Sequence, residues 1–65
     1  MKEVTMEHLF MARASVHQHC ASFCRSIQDS ILLSRGDKLA QYEIAYSNRD
    51  RRLAAIDKMQ KDAGL

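Results

Sequence analysis

Apolar residues recur along this chain at steps of three and four. Met6, Leu9, Phe10, Val16, Cys20, Phe23, Cys24, Ile27 and Ile31, with His17 among them, fall on one broad side of a helix at about 100° per residue. Leu39, Tyr42, Ala45, Tyr46, Leu53, Ile56 and Ala63 do the same in the second half. Neither half sustains the alternation of a half-buried strand. The mixed three-and-four spacing is that of helix-bundle seams.

Two glycines punctuate the pattern, Gly36 and Gly64. Glycine favours the position just past a helix C-terminus, because it accepts the left-handed conformation there. Asp37 follows Gly36 and suits an N-cap. The stretch SRGD therefore predicts a loop at about residues 34–37, between helices over about 6–33 and 38–62. Thr5 can cap the first helix with Glu7 in its first turn, and Lys58 and Lys61 sit near the end of the second. The expected fold is all-α, an antiparallel two-helix hairpin forming a single domain over residues 1–65.

Length adds a constraint. A chain of 65 residues buries only about 60% of the surface its unfolded form exposes. Two rods side by side leave broad apolar stripes half covered, so two hairpins are expected to pair into a four-helix bundle. Leu9, Val16, Cys20, Phe23, Ile27, Ile31, Leu39, Tyr42, Tyr46, Leu53 and Ile56 are the expected core and dimer-interface residues. The layout resembles that of the ROP family of plasmid-encoded RNA-organising proteins, short helical hairpins that dimerise. The resemblance lies in length and layout, with a local likeness at FMARASVHQ, residues 10–18. It implies dimerisation; RNA binding belongs to sites rather than to a fold and is not carried over. Arg13, Arg49 and Gln60 interrupt the seam.

The densest chemistry is HQHCASFC, residues 17–24. On a helix His17, Cys20 and Cys24 lie within about 60° of one another, while His19 points away. Structural zinc takes four ligands, commonly from two elements. The second helix supplies neither Cys nor His. The preferred reading is of small apolar fillers inside the seam, with His17, Cys20 and Cys24 as a metal site the lesser alternative. No cofactor is expected. Nor is an enzyme: there is no phosphate loop, nucleophile elbow or acid–base pair, and a hairpin has few walls for a pocket.

The net charge is +2. Residues 1–34 balance Lys2, Arg13 and Arg25 against Glu3, Glu7 and Asp29, so the excess lies in residues 35–65. Arg51, Arg52, Lys58 and Lys61 are the candidate nucleic-acid contacts, diluted by Asp50, Asp57 and Asp62. Met11, Leu33 and Ile44 fall outside the stripes and are candidate docking residues for a protein partner. No secretory signal or membrane span is legible, and cytoplasmic residence with reduced thiols is expected. The expected function is that of a small non-enzymatic accessory or regulatory protein of bacterial or phage type, acting through protein–protein contacts. A nucleic-acid-binding dimer using the outer face of the second helix is the alternative.

Overall fold

The first helix starts where the sequence supplies a cap. In a computed structural model, which describes residues 4–65, the Thr5 hydroxyl accepts the His8 amide at 3.2 Å. Helix α1 runs Met6–Asp29 with Glu7 in its first turn, favourable to the helix dipole. Lys2 and Glu3, which enter the charge balance above, lie outside the described residues.

The helix ends earlier than the stripe predicts. Ser30 leaves helical geometry at φ −70° and ψ 123°. Residues 30–34 form the connection, with Ile31 95% and Leu32 90% exposed and Leu33 half-buried. The second helix, α2, spans Arg35–Asp62 and is capped by Ser34, whose hydroxyl accepts the Asp37 amide at 3.1 Å. So SRGD is not the loop. Ser34 stands at the N-cap with an acidic residue three positions on, a capping-box arrangement. Gly36 lies inside the first turn, without the positive φ that a helix-terminating glycine adopts. Gly64 does adopt it, at φ 74°, just past the end of α2. There the Gly64 and Leu65 amides reach back to the Lys61 and Gln60 carbonyls.

The two helices pack against each other as an antiparallel hairpin, 46 Å long and 15 Å across. At the loop end Lys38 Nζ donates to the Gln28 carbonyl at 3.0 Å, satisfying one of the carbonyls left open at the end of α1. Between the helices lies a thin core. Leu9, Val16 and Ile56 cluster with Ala12 and Leu53, and Ile27 and Ala45 are buried nearer the loop. Of the expected core, Cys20, Tyr42 and Leu53 are half-buried, while Phe23, Leu39, Tyr46 and Ile31 remain exposed within the single hairpin. Ile31 keeps the phase of the stripe in sequence but lies beyond the helix that would carry it. No helix among the described residues is long and apolar enough to cross a membrane.

The two glycines should respond oppositely to substitution. A Cβ at Gly36 meets nothing within 4 Å. Gly36→Ala should therefore raise stability by about 0.4–1 kcal/mol. Gly64→Ala forces alanine into a left-handed conformation and should cost about 1 kcal/mol. Leu9, only 1% exposed, should cost about 2–5 kcal/mol on replacement by Ala. Urea unfolding followed by circular dichroism measures all three; a loss of stability in Gly36→Ala would contradict the placement of Ser34 as the cap.

Candidate functional site

Two of the three residues that interrupt the apolar seam, Arg13 and Gln60, explain how the helices are registered. Arg13 Nη2 donates to Asp57 Oδ1 at 2.9 Å and to Gln60 Oε1 at 2.6 Å. Gln60 in turn donates from Nε2 to the Leu65 carbonyl at 3.0 Å. Two interruptions thus satisfy each other across the hairpin, near its open end. The third, Arg49, stays on its own helix: it pairs with Asp50 at 3.0 Å and lies 5.1 Å from the centre of the Tyr46 ring. Tyr46 stacks on Tyr42 with ring centres 6.4 Å apart.

Cys20, Cys24, Tyr46 and Arg49 meet in the middle of the hairpin. Cys20 is half-buried and its thiol faces the Ala45 carbonyl at 3.9 Å, over the gap that a small residue leaves. Both cysteines are free. Side chains four apart on a helix have Cβ atoms about 5–6 Å apart, beyond the roughly 3.5–4.5 Å a disulfide takes, so an intact α1 holds two separate thiols. Burial pushes the Cys20 thiol above its ordinary value; the hydrogen bond and charge of Cys24 add to this, and Arg49 opposes it. The Tyr46 hydroxyl is raised as well, first by the charge of Cys24, then by desolvation and a hydrogen bond to Cys24. His17 is exposed. Among the described residues no group of three or more His, Cys, Asp or Glu side chains is placed to hold a metal ion, so the trio His17, Cys20, Cys24 is not assembled as one.

The hairpin has two unlike flat sides. At about 100° per residue, Met6, Phe10, His17 and Cys24 share one edge of α1 within about 40°. Leu39, Tyr42, Tyr46 and Leu53 share one edge of α2 within about 60°. The proximity of Cys24 to Tyr46 places both edges on the same side. This side is largely uncovered: Met6 is 50%, Phe10 72%, Leu39 60% and Tyr46 45% exposed. The opposite side carries an open groove of about 450 Å³ lined by Val16, Cys20, Phe23 and Ala45, with His19, Ser22, Asn48, Arg49 and Arg52 around them. His19, Ser22 and Asn48 were not legible as a group in the sequence. Their only signal is the three- and four-residue spacing of His19 to Ser22 and Asn48 to Arg52 across two helices whose register was unknown.

The remaining candidates are scattered. Arg51, Arg52, Lys58 and Lys61 fan over about half the circumference of α2 at 100° per residue. Arg52 faces the groove, while Arg51 lines a shallow depression with Ile44 on the outer surface of α2. Met11 is 62% and Ile44 50% exposed. Met11 lies near the open end of α1 and Ile44 near the loop end of α2, about 20 Å apart along the axis at 1.5 Å per residue. Leu33 sits in the connection.

The raised Cys20 thiol has a pH consequence. The folded chain holds that proton more tightly than the unfolded chain. The associated stability is complete below the ordinary thiol value and is lost as pH rises through the raised one. Urea midpoints should fall from about pH 8 upward, and less steeply in Cys20→Ala. Cys20 should also alkylate more slowly than free cysteine at about pH 8, read by mass spectrometry; equal rates would show that the thiol is not shielded.

Comparison with protein-family models, curated proteins and solved structures returned no match, and the resemblance to the ROP family stays one of length and layout.

Proposed function

We propose that this chain is a small non-enzymatic helical assembly protein, working as a homodimer through helix-mediated protein contacts in a reducing, cytoplasmic setting. The observation that carries this is surface area. The hairpin exposes 5500 Å². A compact monomer of 7.5 kDa should expose about 4,200 Å² by the usual mass scaling. The excess, roughly 1,300 Å², is more than the about 800 Å² that each partner contributes to a standard interface. Among the described residues five apolar side chains are buried, Leu9, Val16, Ile27, Ala45 and Ile56, few for a domain that must stand alone.

Pairing into a four-helix bundle completes the burial without any new element. Met11 and Ile44 lie off the uncovered apolar side and stay available to a protein partner. Binding of nucleic acid is the weaker proposal. The fanned placement of Arg51, Arg52, Lys58 and Lys61, with Asp50 and Asp62 interspersed, gives no one-sided positive surface.

Sedimentation equilibrium tests the dimer. The protein should run at twice 7.5 kDa at micromolar concentration, and its melting temperature should rise with concentration. Phe10→Ser should weaken the dimer while keeping the helical signal, because Phe10 is 72% exposed in the single hairpin. A folded monomer whose melting temperature ignores concentration would overturn the proposal. Duplex DNA binding with a log–log salt slope near −0.9 per phosphate contact, lost in the double variant Arg51→Ala and Lys58→Ala, would favour the nucleic-acid alternative.

A further inference from the structure

We infer that the groove opposite the Phe10 and Tyr46 side binds a small amphipathic carboxylate, a medium-chain alkanoate in class, with its head at Arg52 and its tail at Phe23. The site is separate from the surface assigned to the dimer, so it stays open in a monomer or a dimer.

The middle of the hairpin carries cations without acids to match them. Residues 8–28 contain no Asp or Glu, and Asp50 is the one acid in residues 44–56. Asp50 is taken by Arg49 at 3.0 Å, and that guanidinium also lies 5.1 Å from the centre of the Tyr46 ring. Arg52 lines the groove and is exposed. Among the described residues its side chain enters no ion pair or hydrogen bond. Asp50 and Asp57 lie about 160° and 140° round α2 from it. No carboxylate lines the groove. The groove is therefore complementary to an anion.

Its floor selects the kind of anion. Val16 and Ala45 are buried, Cys20 is half-buried and Phe23 is 43% exposed. An inorganic anion or a phosphate backbone brings no apolar body to such a floor. The register of the helices orders the lining along its length. Cys20 faces the Ala45 carbonyl, and Arg13 meets Asp57 nearer the open end. Arg52 and Asn48, with His19 across from them, thus stand on the open-end side, and Phe23 and Ala45 on the loop side. Arg52 and Ala45 are seven residues apart, about 10 Å along α2 at 1.5 Å per residue, the reach of an octanoate chain. The groove volume of about 450 Å³ falls in the range of about 300–1,000 Å³ that small-molecule sites occupy. A guanidinium fork can take a carboxylate through two parallel bonds. The Asn48 amide and the His19 ring offer further donors beside it. Burial of the tail supplies affinity, and the head sets the direction in which it lies.

Titration of the full chain with octanoate, followed by amide chemical shifts, tests the site. One saturable site per chain is expected, with the shifts concentrated in residues 19–23 and 45–52. Acetate, the head alone, and octan-1-ol, the tail alone, should each bind at least about tenfold more weakly, the factor that a hydrogen bond to a charged group contributes. Arg52→Gln should lose a similar factor while circular dichroism stays unchanged. Arg25→Gln removes the same charge from the opposite face of α1, about 160° from Phe23, and should leave the affinity as it was. Octan-1-ol binding as tightly as octanoate, equal losses in the two variants, or the absence of a saturable site would overturn the assignment. So would the same shifts on raising the protein concentration alone, since a second copy would then fill the groove.

Discussion

Two helices meet along a line, and a line has little inside. Everything in this fold follows from that constraint. Only side chains pointing straight at the partner helix are removed from water on both flanks; Leu9, Val16, Ile27, Ala45 and Ile56 do so. Residues one step to either side, such as Phe10 and Phe23, keep much of their surface in solvent although they belong to the same stripe. With so small a core, local features take a larger share of the specification: the Thr5 and Ser34 caps, the turn at Gly64 and the Lys38 bond to the end of α1.

The core line is nearly featureless along its length, and apolar contacts alone would tolerate sliding by a heptad. Polar groups fix the alignment. Arg13 can reach Asp57 and Gln60 only in one register, and a shift would leave a half-buried guanidinium without acceptors. The pair is worth little as stability, since Asp57 is 70% exposed and such pairs contribute about 0–1 kcal/mol. Its value lies in making the alternatives worse.

The existence of two helices, their stripes and the caps at Thr5 and Gly64 were legible because each rests on local chemistry written at one place. The break between the helices was not. SRGD supports two readings, a terminating glycine followed by an aspartate cap, or a serine cap with an acidic third position. Both use favourable residues; they differ only in which backbone amide finds an oxygen, and the Ser34 hydroxyl takes the Asp37 amide. The apolar run Ile31, Leu32, Leu33 hid the connection, because loops are expected to be polar. Burial was legible at the centre of each stripe and not at its edges. The width of stripe that a partner helix covers depends on crossing geometry, which no single residue encodes. The groove with His19, Ser22 and Asn48 was invisible for the same reason: it exists only once the two helices have a register.

The hairpin is 46 Å long, and α1 begins at the end where α2 finishes. Tension applied between the two ends of the chain therefore acts across the seam rather than along it. Load falls on one turn at a time, in the manner of a zip. Leu9 carries it first, then the Arg13 contacts to Asp57 and Gln60 together with Val16 and Ile56, and the loop end last. A protein built this way yields progressively at low force. The same helices pulled from opposite ends would load every contact at once and resist as a unit.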